Sequence, residues 1–185
     1  MGETLRDADR AEILRMLQEG MDSLTVALLG IDETSARRRP RADSWSVLEC
    51  VEHLTLTERA LLQRLKEARA CEESREDRAR ETKFQDLALN RVRRIEAPEP
   101  VRPANDSACL EQVSEAFKAA RSETVRYVEQ FQGDLRWWVT QHPLITRPVN
   151  CYEMLLLIAM HPKRHALQIV QICRALEGGN GPGES

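Results

Sequence analysis

The feature that most constrains this chain is a run of apolar side chains from Asn150 to Glu177, near its C-terminal end. They recur every three or four residues, which is the spacing of one face of an α-helix. His161 and His165 fall on that face, so the pattern predicts a helix that points two imidazoles into the core. Residues four apart have Cβ atoms about 5–6 Å apart. Two imidazoles so placed can share one metal ion, as in H-E-x-x-H helices, but a stable site needs a third ligand.

Three further amphipathic helices precede this one. Their apolar stripes, N-terminal capping residues and glycine stop signals set the expected limits. The predicted ranges are about Thr4 to Leu29, Ser46 to about Arg78, and Asp106 or Ser107 to Gly133. In the second helix, Ser46 followed three residues later by Glu49 fits a capping box. The charged far end of that helix is expected to fray or to project into solvent.

A long connection, residues 82–106, separates the second and third helices. Pro98, Pro100 and Pro103 force extended chain there. Because this crossover is longer than a turn between antiparallel neighbours needs, we expect no simple hairpin between the two helices. Four amphipathic helices with one long crossover predict an all-α four-helix bundle. We expect one domain over residues 1–177 and a disordered glycine-rich tail over residues 178–185.

Composition excludes several classes of protein. The net charge of -3 gives no strong attraction to nucleic acid or to an anionic membrane. The longest apolar run, Met154 to Met160, is too short to cross a bilayer, and the charged N-terminal segment lacks the apolar stretch of a signal peptide. The five cysteines are an odd number without C-x-x-C spacing, which indicates reduced thiols. We therefore expect a cytoplasmic protein with no nucleic-acid or membrane partner.

A candidate third ligand lies in the second helix. His53 sits beside the apolar stripe, and the small residues Cys50 and Thr57 near it leave room for a metal or a substrate. Inward-facing side chains from different helices of a bundle can converge on one site. The remaining histidine, His142, precedes a proline in a loop, and we expect it to be exposed to solvent.

Two motifs now identify a family. W-S-x-x-E-x-x-x-H-L runs from Trp45 to Leu54, and E-x-x-x-x-x-x-x-H-x-x-x-H-x-x-Q-I runs from Glu153 to Ile169. Together they resemble the DinB/YfiT-like superfamily, over nearly the whole domain, and the segments IEAPEPVRP and HPLITRPV resemble it too. The resemblance implies a four-helix bundle, commonly a homodimer, that binds a divalent metal through three histidines. Carried over by motif, the ligands are His53, His161 and His165.

The resemblance also implies an activity, since some relatives transfer or isomerise low-molecular-weight thiols and many are called metal-dependent hydrolases. A divalent ion such as zinc, nickel or iron, held by three neutral imidazoles, lowers the pKa of a water or thiol in its open position. We therefore expect a metal-dependent hydrolase or thiol transferase that acts on a small molecule, with a low-molecular-weight thiol as one candidate substrate. The alternative is a non-catalytic, metal-stabilised bundle that serves as an interaction or stress-response module, because no unambiguous general base is evident.

Glu58 is the candidate catalytic residue. It falls on the buried stripe of the second helix, where a carboxylate is costly unless it is paired. It can orient a ligand histidine or act as a general base. The favoured interpretation is instead a salt bridge with an arginine of a neighbouring helix, for example Arg121 or Arg15.

Three other features of the sequence each allow two interpretations. Cys50 is either a soft fourth ligand or, more commonly, a small core residue. Pro162 removes a backbone donor inside the last helix, so a kink or a local widening is expected beside His161. The arginines of residues 37–41 fit a solvated loop better than a phosphate site.

Three features concern the surface of the bundle. Trp137 and Trp138 either line a pocket mouth or seal the bundle end or a dimer contact, and Arg164 is expected to face solvent or a dimer partner. Apolar positions outside the main stripes, together with the prevalence of closed two-fold dimers, predict a homodimer. These positions are Leu56, Leu155 and Ile169.

Overall fold

The computed structural model describes residues 2–72, 78–89, 96–104 and 109–178. Within these residues there are four long helices, two shorter ones, three very short strands and one 3₁₀ turn. In chain order they are α1 (Gly2–Leu28), α2 (Glu33–Arg37), α3 (Val47–Lys66), β1 (Arg69–Ala70), α4 (Arg78–Leu89), the 3₁₀ turn (Glu99–Val101), α5 (Leu110–Gln130), β2 (Trp138–Thr140), β3 (Val149–Asn150) and α6 (Cys151–Gly178). The long helices α1, α3, α5 and α6 form the predicted four-helix bundle.

Side-chain contacts show that α1 and α6 run parallel. The Tyr152 hydroxyl near the start of α6 donates to Glu12 over 2.8 Å. Eleven positions further along α6, Lys163 donates to Glu19, again over 2.8 Å. Because the residue numbers of the contact partners increase together in α1 and in α6, the two helices point in the same direction.

The helices α3 and α5 form a second parallel pair. Arg121 donates to Glu58 over 2.8 Å, and the Tyr127 hydroxyl donates to the Leu65 carbonyl over 3.0 Å. Neighbours that follow each other by a tight turn are antiparallel, so a parallel α3–α5 pair needs a connection that returns along the bundle. The connection between Lys66 and Leu110 contains the crossover predicted over residues 82–106, begins earlier than predicted, and includes β1, α4 and the 3₁₀ turn among its described residues.

A small antiparallel sheet closes one end of the bundle and corrects a sequence prediction. The second long helix was expected to continue to about Arg78, but α3 ends at Lys66. Arg69 pairs with Val139 of β2, which in turn pairs with Asn150 of β3. The segment beyond Lys66 lacks an apolar stripe that would hold a helix against the core, so strand pairing determines its conformation.

Both helices that carry the candidate ligands begin with reciprocal capping. The Ser46 side chain accepts the Glu49 N–H, and the Glu49 carboxylate accepts the Ser46 N–H over 2.8 Å, as predicted. At the start of α6, Asn150 and Glu153 exchange the same two bonds over 2.7 and 2.9 Å. The glutamates of the two sequence motifs are therefore helix caps.

Other predicted helix ends fall close to the observed ones. Gly30 follows α1 in the left-handed region at φ 75°, which glycine adopts without strain. The helix α5 begins at Leu110, and the Gln112 side chain accepts the Cys109 N–H over 3.0 Å. The caps predicted at residues 106 and 107 and residues 179–185 of the predicted tail lie outside the described residues, and Gly178, the first residue of that tail, still belongs to α6.

The core consists of two apolar clusters, one towards each end of the bundle. The cluster beside the sheet is built around α1 up to Leu17 and α6 up to Met160. The cluster at the other end takes α1 from Leu24 and α6 from Ile169. Leu155 and Ile169 are fully buried in these clusters, which corrects the expectation that they lie outside the main stripes. Both side chains fill the space between the four helices, so neither is available for a contact with another molecule.

Candidate metal centre

Between the two apolar clusters, the bundle contains a layer of buried or half-buried polar side chains. It comprises His53 and Glu58 of α3, Arg121 of α5, and His161 and His165 of α6. Along α6, His161 and His165 separate the two clusters, and Glu58 does so along α3, whereas His53 lies between Val51 and Leu54 of the second cluster. Polar groups in such a position are costly unless they are paired or bind a ligand, so this polar layer is the candidate functional site.

The structure brings the three motif histidines together. The Nε2 atoms of His161 and His165 lie 3.0 Å apart. One ligand nitrogen from each of these residues and one from His53 lie within 4.8 Å of one another. Two nitrogens bound to one tetrahedral ion at about 2.0–2.1 Å lie about 3.3 Å apart, so the spacing fits a shared divalent ion. In the described part of the chain, these three histidines form the whole cluster, without His142 or Cys50.

A backbone carbonyl of the crossover fixes the orientation of His53. The Val101 carbonyl lies 2.7 Å from Nδ1 of His53. Because a carbonyl only accepts, Nδ1 carries the proton and Nε2 keeps its lone pair for a ligand. The Thr57 hydroxyl lies 3.4 Å from both ring nitrogens. Such contacts set the tautomer and ring orientation of histidines in metal sites.

Burial favours the neutral, metal-binding form of His53 and His161. It lowers the pKa of His53, although the bond to Val101 acts in the opposite direction. It also lowers the pKa of His161 well below its ordinary value, and the charges of His53, Arg164, Arg121 and His142 lower it further. Metal ligation requires neutral imidazole, so these shifts favour a filled donor set at neutral pH.

An indole forms one wall of the cluster. The centre of the Trp45 ring lies 4.8 Å from that of His53 and 6.2 Å from that of His165. The Trp45 and His165 rings are nearly parallel, with an angle of 18° between their planes. Trp45 belongs to the first motif, just before the Ser46 cap, but its contact with both helices could not be read from the sequence. His53 and His165 are buried, whereas His161 is half-buried.

Glu58 forms the salt bridge that the sequence favoured. Its Oε2 accepts from Arg121 over 2.8 Å, and the side chains are 3% and 6% exposed. Arg15 instead pairs with Glu19. Burial raises the pKa of Glu58, and the positive charge of Arg121 and a contact with Thr124 oppose that rise. The catalytic role considered for Glu58 stays a prediction.

One other candidate residue differs from expectation. His142 is half-buried and not fully exposed to solvent, because its loop folds so that Nδ1 accepts the Leu144 N–H over 3.1 Å. Burial lowers its pKa. Arg164 is half-buried, and its contact with solvent or a dimer partner stays a prediction. Cys50 packs in an apolar cluster, which agrees with its interpretation as a core residue.

Trp138 and the arginine-rich loop agree with the simpler interpretation given for each, whereas Trp137 is 42% exposed and its role stays a prediction. Trp138 packs edge-on against Phe131 at a ring distance of 5.5 Å and seals the sheet end of the bundle. The arginines of residues 37–41 include three that form ion pairs with carboxylates. The pairs are Arg37 with Glu33, Arg39 with Glu49, and Arg41 with Asp43. Carboxylates therefore pair with three of the four arginines of this loop.

Sequence comparison decides the family. A model of the DinB superfamily matches residues 16–169. The chain belongs to the DinB superfamily. The uncharacterized protein YuaE of Bacillus subtilis is 23% identical over 154 residues, which covers 81% of this chain and 90% of YuaE. The resemblance stated from the two histidine motifs is thereby confirmed.

Solved structures share the fold of this DinB-superfamily chain. A conserved protein from Enterococcus faecalis has a TM-score of 0.62 and 15% identity, over 91% of this chain and 96% of that protein. YfiT from Bacillus subtilis has a TM-score of 0.56 and 13% identity, over 91% of this chain and 87% of YfiT. YfiT is described as a probable metal-dependent hydrolase with an unusual four-helix bundle topology. At this identity the likeness extends to the bundle alone.

Among the helices of the described residues, none combines the length and the apolar character that a bilayer span requires.

Proposed function

We propose that this chain is a metal-dependent hydrolase. The observation that carries the proposal is the convergence of three imidazole nitrogens, from two helices, within 4.8 Å of one another in a polar layer of the core. Hydrophobic side chains would fill this layer at lower cost if the bundle needed stability alone. The description of YfiT as a probable metal-dependent hydrolase supports the same conclusion.

The three histidines would hold the ion. His161 and His165 contribute Nε2 from successive turns of α6, and the Val101 carbonyl leaves Nε2 of His53 as the third donor. When bound by three neutral ligands, a divalent ion supplies a Lewis acid that lowers the pKa of water in its open position. Zinc, nickel and iron all suit imidazole ligands.

The neighbouring side chains have supporting roles. Trp45 packs against the His53 and His165 rings and restricts their rotation. Glu58 is engaged by Arg121, so we assign it to holding that guanidinium. The half-buried edge of His161 is where a small substrate would enter.

Metal analysis of purified variants tests the donor set. We expect stoichiometric metal in the wild type and in His142→Ala, because His142 lies outside the cluster. His161→Ala should retain none, because two remaining imidazoles do not make a stable site. Equal metal content in the two variants would refute the assignment.

A substrate screen tests the reaction. Metal-loaded wild type should hydrolyse members of an ester and amide panel, and His161→Ala should not. Turnover only when a low-molecular-weight thiol is added would replace hydrolysis by thiol transfer. Stoichiometric metal without turnover in either screen would favour the non-catalytic, metal-stabilised bundle.

A further inference from the structure

Pro162 creates a hydrogen-bonding deficit beside a candidate ligand. The helix α6 runs without a break through this residue. A proline has no N–H, so the Ile158 carbonyl one turn earlier loses its usual helical donor. Ile158 is 2% exposed, and a buried carbonyl without a donor is costly. The affected turn carries His161.

The helix α1 covers the neighbouring part of the same turn. A Cβ added at Gly20 would lie 2.4 Å from the Ala159 carbonyl oxygen and 3.7 Å from Cγ of Pro162. So close an approach leaves no space for water between the two backbones at this point. The side of this turn that faces α1 is therefore closed to a water donor.

Arg121 of α5 reaches the Ile158 carbonyl. Its Nη2 lies 3.4 Å from the Ile158 carbonyl oxygen and 2.8 Å from Oε2 of Glu58. Its Nη1 lies 3.4 Å from the Leu17 carbonyl of α1. The guanidinium also lies 5.4 Å from the centre of the Phe117 ring. One side chain thus contacts all four long helices, at the level of the turn that Pro162 disturbs.

We propose that Arg121 is a positioning residue for the metal centre. It replaces the donor that Pro162 removes and so holds the turn of α6 that places His161 against His53 and His165. Glu58 orients Arg121 for this contact. The inference rests on the proposed metal site for its consequence, but the contact between Arg121 and the Pro162 turn can be tested without metal.

The competing interpretation is that Arg121 only neutralises Glu58. The two interpretations differ in one respect. If Arg121 compensates for Pro162, then restoring the backbone N–H with Pro162→Ala makes Arg121 dispensable. If Arg121 only pairs with Glu58, its removal has the same effect whatever residue occupies position 162.

The test is a double-mutant cycle. Arg121→Met is combined with Glu58→Leu, so that no buried charge is left unpaired, and both are made with and without Pro162→Ala. Zinc affinity is measured by competition with a chelating dye, on variants that circular dichroism shows to be folded. With Pro162 present, the pair of substitutions should weaken zinc binding about 10- to 100-fold, as expected for a residue that orients a ligand.

With Pro162→Ala, the same pair of substitutions should weaken binding less than about 3-fold, a change too small for a lost orienting contact. Lys118→Met is the matched control, because Lys118 is an exposed cation on the same helix and pairs with Glu115. An equal loss with and without Pro162→Ala would overturn the proposal.

The metal-free proteins keep the two proposals separate. If the wild type binds no zinc, the proposed function fails, and urea unfolding midpoints of the same four metal-free proteins decide the inference. Pro162→Ala should then cancel most of the midpoint loss caused by the Arg121 and Glu58 substitutions. Independent, additive losses would overturn it.

Discussion

At the scale of single residues, the centre depends on imidazoles that burial keeps neutral. The pKa values of His53 and His161 are both lowered, chiefly by burial. The Val101 carbonyl leaves the lone pair of His53 on Nε2. Glu58, the nearby carboxylate of the same layer, is committed to Arg121. The proposed donors are neutral imidazoles, and the charge of Glu58 is balanced by Arg121. The layer is therefore suited to a cation, although it carries no excess of buried negative charge.

These shifts predict that metal-linked stability is lost in mild acid. An unfolded histidine has a pKa of about 6.5 and the folded values are lower, so the unfolded chain binds more protons below that pH. The stabilisation is therefore present above about pH 6.5 and declines as pH falls towards the folded values. Bound metal adds to native stability by mass action, and protons compete with it for each ring.

Thermal melting with and without a chelator, at neutral pH and at about pH 5, measures this effect. The metal-dependent rise in Tm should be large at neutral pH and nearly absent at the lower pH. His142→Ala serves as a control and should behave like the wild type. A rise in Tm that is undiminished at about pH 5 would exclude a three-histidine site.

At the scale of elements, the site depends on how closely α1 and α6 approach. The two helices run parallel, and their backbones are in close contact where Gly20 faces Ala159. That position adjoins the turn with Pro162 and His161. At the N-terminal side, the Asn150–Glu153 capping pair fixes where α6 begins. The cap at the start of α6 and its close backbone contact with α1 together determine the position of His161 and His165 along the bundle and the direction in which they point.

Gly20→Ala should therefore destabilise the protein, although alanine favours helix more than glycine does. The new Cβ would lie 2.4 Å from the Ala159 carbonyl oxygen, a backbone atom that cannot rotate away. Overpacking of this kind costs about 1–3 kcal/mol. Urea unfolding should show the loss in the free energy of unfolding.

Gly178→Ala is the matched control, because Gly178 is also helical and a Cβ there meets nothing within 4 Å. It should leave the free energy of unfolding unchanged or slightly raised. Should Gly20→Ala prove as stable as Gly178→Ala, the close contact between α1 and α6 would not exist in solution.

At the scale of the whole molecule, two parallel helix pairs pack against each other in opposite directions. Arg10 of α1 donates to the Phe131 carbonyl just after α5, and Arg121 in the middle of α5 reaches Leu17, so α1 and α5 are antiparallel. The polar layer crosses the bundle between the two apolar clusters. Leu155 and Ile169 complete those clusters, so an oligomer contact has to use other apolar side chains.

We propose that the protein forms a homodimer through the outer face of α6. Leu167 and Val170 are one helical turn apart there and are 47% and 36% exposed. Closed two-fold dimers are the commonest oligomers. Light scattering should give a dimer mass for the wild type and a monomer mass for Leu167→Asp combined with Val170→Asp.

Leu144→Asp, at an exposed loop position, should remain a dimer. A monomer mass for the wild type at all accessible concentrations would exclude dimer formation. A dimer that persists in the α6 variant would place the interface elsewhere.

The sequence by itself determined the bundle, its long crossover and the three histidines that meet in it. Helical periodicity is a local signal, and the spacing of His161 and His165 puts both on one face before any folding is considered. The Ser46–Glu49 cap is likewise local. The end of α3 at Lys66, the burial of Leu155 and Ile169, and the choice of Arg121 over Arg15 as the partner of Glu58 were decided only by tertiary structure. Each depends on which distant segment packs alongside, as does the Val101 carbonyl that orients His53 across 48 positions of the chain. Sequence periodicity shows which face of a helix is buried, but not what the rest of the chain places against it.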